Sequence, residues 1–119
     1  MAVASSVLTG LVAALHVCFL VLEMFLWTTP FGQKTFKRSA DEQESTKVLA
    51  ANQGLYNGFL AAGLLWSLVG SAAIVLPVRV FFLACVVVAG LYGAATAGKQ
   101  ILFVQAIPAT AALAVTLAL

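Results

Sequence analysis

His16 and Glu23 place an imidazole and a carboxyl group inside an otherwise apolar segment, LHVCFLVLEMFLW, from Leu15 to Trp27. They are seven residues apart, so an α-helix puts them on one face, and Trp27 extends that face. Ionisable groups in apolar membrane helices are candidates for function by default, and such a pair can transfer protons. The spacing is too long for both side chains to chelate one ion, so we predict no metal site. Glu23 and His16 are our candidates for acid/base chemistry.

A second apolar stretch opens with hydrogen-bonding side chains, in AANQGLYNGF from Ala50 to Phe59. At about 100° per residue, its polar and small residues fall on one half of a helix and its bulky residues on the other. We expect the first half to face protein and the second to face lipid. The first set is Asn52, Gln53, Tyr56, Asn57, Gly63, Ser67 and Ser71, and the second is Leu55, Phe59, Ala62, Trp66 and Val69.

Further polar residues lie at matching depths in the two remaining apolar stretches. Tyr92 and Thr96 are four residues apart, and Gln105 precedes Pro108, which should interrupt its helix. With a helical rise of about 1.5 Å per residue, these groups, Glu23 and the carboxamides fall in one layer. Because unpaired polar groups are costly in hydrocarbon, we expect them to enclose a polar pocket. The predicted ligand-binding residues are Glu23, His16, Trp27, Asn52, Gln53, Tyr56, Asn57, Tyr92, Thr96 and Gln105.

The composition indicates an integral membrane protein. Hydrophobic residues make up 63% of the 119 residues and charged residues only 8%, against about 25% charged residues in soluble domains. The lipid bilayer is therefore the expected partner. The net charge of +2, without a basic patch interleaved with aromatic residues, argues against a nucleic-acid partner. No phosphate loop or cofactor motif is present, so we predict no cofactor. Cys18 and Cys85 lie in apolar runs and are typical of small apolar fillers.

Four transmembrane helices account for the whole chain, because a span needs about 20 apolar residues. We predict one transmembrane domain over residues 1–119, an all-α four-helix bundle. Its spans cover about residues 3–27, 48–70, 77–97 and 101–119, with Pro77 at a helix start. Ser39 and Glu42 form a capping-box pattern, so the second helix should begin near Ala40, before its span.

The basic residues predict the orientation. Five of the six lie in the connections after the first and third spans, namely Lys34, Lys37, Arg38, Lys47 and Lys99, and Arg79 lies on the other side. Because Lys and Arg favour the cytoplasmic side, we expect a multi-pass plasma-membrane protein with both termini outside the cytoplasm. The loop 28–47 would then be cytoplasmic. Phe31 and Phe36 in that loop suggest a segment on the lipid surface, although a solvated loop fits as well.

Small residues in the third span favour close helix packing. Ala89, Gly93 and Ala97 are spaced by four residues, as are Gly90 and Ala94. The same stripe could serve a homodimer, and the sequence does not choose between these uses.

The chain resembles a known family along its whole length. The segments HVCFLVLEMFLW, KTF, NQGLYNGFLAAG, AGLYGAAT and LFVQAIPA are similar, in order and spacing, to the family catalogued as domain of unknown function 1304. The resemblance implies a four-helix membrane protein of a kind found in bacteria and some fungi, but no activity. The matching positions are His16, Glu23, Trp27, Phe36, Asn52, Gln53, Gly54, Tyr56, Asn57, Gly90, Tyr92, Gly93, Thr96, Gln105 and Pro108.

Three functional classes fit these residues. The first is binding, or proton-coupled transport, of a small lipophilic or cationic molecule by a pocket whose charge is Glu23. The second is a membrane-embedded acid/base enzyme acting on a lipid, with Glu23 and His16 as the proton-transfer pair. The third is a structural or assembly subunit, in which the polar layer only joins helices.

Overall fold

The computed structural model describes residues 1–119 and consists of helices and short connections. The elements are α1 (Ala2–Met24), α2 (Pro30–Phe36), α3 (Ala40–Val69), α4 (Ala72–Thr96), a π-helical turn (Leu102–Ala106) and α5 (Ile107–Leu117). The all-α class is therefore confirmed. Two helices, α1 and α4, are long and apolar enough to cross a membrane, and Leu102–Leu117 is a shorter apolar segment.

Backbone contacts divide the chain into two compact units. The α4–α5 unit comprises Met1–Leu15 and Leu60–Leu119, and the α2 unit comprises His16–Phe59. Each unit therefore contains one part of α1 and one part of α3. The prediction of a single transmembrane domain is not tested by this division and stays a prediction.

The start of α3 follows the predicted capping box. Glu42 donates its backbone N–H to the Ser39 hydroxyl at 3.2 Å, and its carboxylate accepts the Ser39 N–H at 3.1 Å. These two bonds satisfy amide groups that a helix start leaves without partners. Since the helix begins at Ala40, the prediction for this boundary is confirmed.

The start of α4 differs from the prediction. The helix begins at Ala72, with Ser71 as its N-cap residue, and Pro77 lies inside it. Only Gly70 and Ser71 separate α3 from α4. The apolar residues before Pro77 continue the helix, at the expense of the one hydrogen bond that proline cannot donate. As a result Arg79 lies about two turns into α4 rather than near its start.

The core of the α4–α5 unit is built from small and medium side chains. Its buried members are Val12, Ala13, Leu64, Leu83, Val86, Ala109 and Ala112. Gly90 shows how closely the helices approach, because a Cβ there would lie 2.6 Å from the backbone nitrogen of Ala106. The predicted use of Gly90 for close packing is therefore confirmed. Gly93 is less crowded, since its Cβ would meet only the flexible Ile101 side chain, at 3.1 Å.

The interruption expected at Pro108 takes the form of a π-helical turn. Pro108 is the second residue of α5, and the π turn ends two residues before it. A wider turn relieves the clash between a proline ring and the preceding helical turn. Gln105 lies on this turn and is half-buried.

The buried face of α3 differs in part from the predicted one. The residues predicted to face lipid, such as Phe59 and Trp66, are exposed, as expected. Asn57 and Ser67 are buried, also as expected, but Asn52, Gln53, Tyr56 and Ser71 are exposed. In the α2 unit, burial of α3 instead follows Ala50, Gly54 and Asn57, because small residues allow α1 to approach.

The capping box makes the start of α3 sensitive to pH. Hydrogen bonds from the Ser39 backbone and side chain hold the pKa of Glu42 below its ordinary value of 4.5. A depressed pKa contributes stability that is present above the unfolded value and is lost as pH falls through the folded value. We therefore expect the protection of amides in the first turn of α3, measured against their intrinsic exchange rates, to fall below pH 4.5. In Glu42→Gln, whose amide caps without titrating, hydrogen–deuterium exchange should show no such loss of protection. An identical pH profile in both proteins would contradict the prediction.

Gly90 and Gly93 provide a matched pair of packing variants. Gly90→Ala should lower stability by about 1–3 kcal/mol, because the new methyl group meets backbone that must move. Gly93→Ala should cost clearly less, because the Ile101 side chain can shift. Thermal unfolding in mild detergent measures both. Equal midpoints for the two variants would show that the α4 contact with the π turn is looser than described.

Candidate functional site

The α2 unit contains a cleft of about 400 Å³ where α1 ends. The residues around it come from the last turn of α1, from the turn that follows, and from the third and fourth turns of α3. They are Glu23, Met24, Phe25, Trp27, Thr28, Lys47, Val48, Ala51 and Asn52. The volume lies within the range of about 300–1,000 Å³ that is usual for small-molecule sites.

Asn57 holds the Glu23 carboxylate in place. The Asn57 side-chain amide donates to Oε1 of Glu23 at 2.5 Å, and Asn57 itself is buried. Gly54 makes this approach feasible, because a Cβ there would lie 2.6 Å from Cγ of Met24 and 3.1 Å from Cβ of Glu23. The sequence thus places a glycine where α1 and α3 approach closely, one turn before the carboxamide that binds Glu23.

Trp27 is fixed by several contacts, although it does not extend the α1 face as predicted. The helix ends at Met24, and Trp27 lies in the following turn. Its indole N–H donates to the Thr46 hydroxyl at 3.1 Å, and its carbonyl accepts the Gln43 side-chain amide at 2.9 Å. Its ring lies 4.6 Å from that of Phe36, centroid to centroid. Trp27 is thus a rigid wall of the cleft.

The charges around the cleft leave Glu23 without a cationic partner. Lys47, on the rim, forms the only ion pair of this chain, with Glu44 at 2.5 Å. Asn52 donates its side-chain amide to the Val48 carbonyl at 3.1 Å, so its side-chain oxygen is left to accept. Asn57 engages only Oε1 of Glu23. The second carboxylate oxygen of Glu23 and the side-chain oxygen of Asn52 are therefore both left to accept a hydrogen bond from a ligand.

The structure brings together only some of the predicted site residues. Glu23, Trp27 and Asn52 line one cleft, and Asn57 supports it. His16 is buried in α1 with its ring edge-on to Phe19 and is not among the lining residues. Gln53 and Tyr56 also lie in the α2 unit, and both are exposed.

The other three predicted residues belong to the α4–α5 unit. Tyr92 is 71% exposed, which does not favour its predicted place in a pocket wall. Thr96 donates its hydroxyl to the Tyr92 carbonyl within α4 at 2.7 Å. Gln105 lies on the π turn. That these three join Glu23 around one pocket stays a prediction. Sequence reasoning also missed Lys47 and Thr28, which were assigned to the basic loop.

Arg79 is the residue that sequence reasoning underrated most. It is 5% exposed, in the α4–α5 unit. Nη1 donates to the hydroxyls of Ser5 at 2.9 Å and Ser6 at 3.4 Å. Nη2 donates to the Ser67 carbonyl at 2.8 Å, and Nε to the Ser67 hydroxyl at 3.4 Å. All three guanidinium nitrogens are therefore bonded to neutral oxygens, without a carboxylate.

The hydroxyl groups around Arg79 donate hydrogen bonds to backbone carbonyls or to one another. Thr116 donates to the Ala112 carbonyl at 2.7 Å, so the 2.6 Å contact between Ser5 and Thr116 has Ser5 as donor. Ser67 donates to the Leu64 carbonyl at 2.6 Å. The Arg79 cluster (Ser5, Ser6, Ser67, Arg79 and Thr116) thus joins α1, α3, α4 and α5. The sequence signal that could have predicted this cluster is the presence of hydroxyl residues at similar depths in three apolar segments.

Comparisons with known proteins place the chain in a family. The family model described as "Protein of unknown function (DUF1304)" matches residues 10–117. The chain belongs to this family, which confirms the resemblance seen in the sequence. It is also 32% identical over 107 residues to "Uncharacterized protein YpaA" of Lactococcus lactis subsp. lactis (strain IL1403), covering 88% of this chain and 89% of the relative. No solved structure matches.

The Arg79 cluster predicts that lysine cannot replace arginine. An ammonium group lacks the planar fork that reaches both serines of α1 and the Ser67 carbonyl. Arg79→Lys should therefore lower the free energy of unfolding by about 1–3 kcal/mol. The control is Arg38→Lys at an exposed position, which should leave the unfolding midpoint in detergent unchanged. Equal midpoints for both variants and the wild type would contradict the role given to the guanidinium.

Proposed function

We propose that this family member is an integral membrane protein with four spans. These are α1, the apolar part of α3, α4, and the π turn with α5. Only 28% of the most apolar window of α1 and 17% of that of α4 is buried. Core helices of soluble proteins bury most of such windows, and 26 large hydrophobic side chains of this chain are exposed. A surrounding lipid phase accounts for both observations.

The orientation in this proposal follows the basic residues. Lys34, Lys37, Arg38 and Lys47 lie in or beside the connection between α1 and α3, and Lys99 lies in that between α4 and the π turn. The positive-inside rule places both connections in the cytoplasm and both termini outside it. In a bacterial cell this describes a multi-pass protein of the plasma membrane.

Within that frame, the cleft beside Glu23 binds a small lipophilic cation. The observation that carries this proposal is the Glu23 carboxylate, held by Asn57 and left without a cation of the chain. Because Glu23 is half-buried, its charge is less well hydrated than that of an exposed carboxylate, and a cation beside it is stabilising. The remaining side-chain oxygen of Asn52 is also an acceptor. A ligand with an ammonium or similar group supplies the missing charge and the missing donors.

The rest of the cleft suits an apolar body attached to that cation. Met24, Phe25, Val48 and Ala51 provide apolar walls. The indole ring of Trp27 can attract a cation through its π face. The volume of about 400 Å³ limits the ligand to a small molecule rather than a whole lipid chain.

Competition with protons makes coupled transport the natural extension of this binding. A carboxyl group that takes up a proton loses the charge that holds a cation, so ligand and proton exclude each other at Glu23. Acid/base catalysis with His16 has less support, because His16 is not among the lining residues. A purely structural role predicts instead that Glu23 matters only for stability.

The test compares the affinity of the protein for a cation with its affinity for a neutral molecule of similar shape. We expect 1-naphthylmethylammonium to bind the wild type at least about tenfold more tightly than 1-naphthalenemethanol, since a tenfold difference needs only about 1.4 kcal/mol. Glu23→Gln keeps an acceptor for Asn57 but removes the charge, so it should bind both molecules equally weakly. Isothermal titration calorimetry in detergent measures each affinity, and binding of the cation should weaken as pH falls.

Asp41→Asn is the matched control, because Asp41 is an exposed carboxylate outside the cleft. It should retain the preference for the cation. If the wild type binds the ammonium no better than the alcohol, while Glu23→Gln unfolds at lower temperature, Glu23 is structural and the proposal is wrong.

A further inference from the structure

The short helix α2 packs one face against the rest of its unit and leaves the other face exposed. Thr29 caps it by accepting the Gly32 N–H at 3.2 Å and donating to the Leu26 carbonyl at 2.6 Å. Gly32 is buried, and a Cβ there would overlap the Leu26 carbonyl oxygen. Phe36 packs on Trp27. The helix is therefore docked rather than loose, and its outer side chains have defined positions.

The outer face combines an aromatic ring with cations. Phe31 is 60% exposed, and Lys34, three residues later, is exposed beside it on the helix. Lys37 and Arg38 follow directly at the end of α2, both exposed. We call these four residues the α2 surface. An exposed phenylalanine ring in water is unfavourable, so this surface suits a partner with an apolar layer beneath a charged one.

The carboxylates near the α2 surface neutralise its cations only in part. The only ion pair of this chain joins Lys47 to Glu44, on α3. Arg38 interacts electrostatically with Glu42, which Ser39 also binds, and Asp41 is the other carboxylate at the start of α3. Three cations and two carboxylates leave the surface net positive.

Lys37 occupies a backbone position that glycine would fill more easily. Its φ is 54° and its ψ is 46°, and its N–H closes α2 on the Gln33 carbonyl. Left-handed residues at helix ends are usually glycine, because a Cβ is strained there. Lysine at this position keeps a charge on the surface in spite of the strain.

We propose that the α2 surface binds the headgroups of anionic lipids at the cytoplasmic leaflet. Lys34, Lys37 and Arg38 would meet the phosphates, and Phe31 would insert at the boundary with the acyl chains. A continuous apolar layer directly beneath a layer of negative charge is the arrangement that an anionic bilayer surface offers. The inference rests on the proposed membrane location but not on the ligand of Glu23, so Glu23→Gln should leave lipid binding unchanged.

Native mass spectrometry of the full chain in mild detergent tests this surface. The protein is titrated with phosphatidylglycerol or phosphatidylcholine carrying the same acyl chains. Each basic residue near an anionic surface contributes about 1 kcal/mol, or about fivefold, so the wild type should prefer phosphatidylglycerol more than about tenfold. The triple variant Lys34→Gln, Lys37→Gly, Arg38→Gln should lose this preference. Lys99→Gln, an exposed cation of another connection, should keep it.

Lys37→Gly alone separates lipid binding from folding. It removes one charge and relieves the strained backbone, so its unfolding temperature should equal or exceed that of the wild type. Its preference for phosphatidylglycerol should nevertheless fall by about fivefold. No preference in the wild type, or an unchanged preference in both Lys37→Gly and the triple variant, would overturn the proposal. If the wild type prefers phosphatidylglycerol but does not bind the ammonium probe in the cleft beside Glu23, only the proposed function is overturned.

Discussion

A charged side chain among apolar helices must find neutral hydrogen-bonding partners within the chain, and this constraint organises both units. In the α4–α5 unit it is met by hydroxyl groups and one carbonyl around Arg79. In the α2 unit it is met by one carboxamide, Asn57, beside Glu23. Neither charged group has an oppositely charged side chain as its partner. Each therefore depends on the close approach of helices that bring polar neutral groups to it.

The two charges differ in how completely the chain satisfies them. Arg79 uses all three nitrogens. Ser67 and Thr116 donate to backbone carbonyls, and Ser5 donates to the Thr116 hydroxyl. Such a cluster has little capacity for a further ligand and is best understood as a joint between helices. Glu23 has a single partner on one oxygen and borders a cleft. The same constraint thus yields a structural centre in one unit and a candidate binding site in the other.

Local patterns predicted the features that depend on short stretches of chain. The capping box at Ser39 and the interruption before Pro108 both arise within a few residues, so the sequence alone specifies them. The exposure of the bulky side of α3 was also predicted, because bulky residues cannot line a close helix contact. Gly90 was recognised for a similar reason, since only small residues permit backbone contact.

Features that depend on which helices meet were harder to predict. Pro77 suggested a helix start, but the two-residue link before Ala72 placed the start earlier and carried Arg79 inward. Gln53 and Tyr56 carry the right polarity for a pocket, yet Gly54 and Asn57 face α1 and leave them outside. Trp27 leaves the helical face of Glu23 because α1 ends at Met24, and it reaches the cleft from a turn instead.

The central claim is that the Glu23 carboxylate binds a ligand and does not serve only to hydrogen-bond Asn57. Native mass spectrometry of the full chain extracted from cells in mild detergent, beside Glu23→Gln, tests it most directly. We predict that the wild type retains a small molecule of defined mass and that the variant, with the same subunit count and unfolding temperature, does not. If neither protein retains a molecule and the variant unfolds sooner, Glu23 serves to join α1 to α3 and the account of the site is wrong.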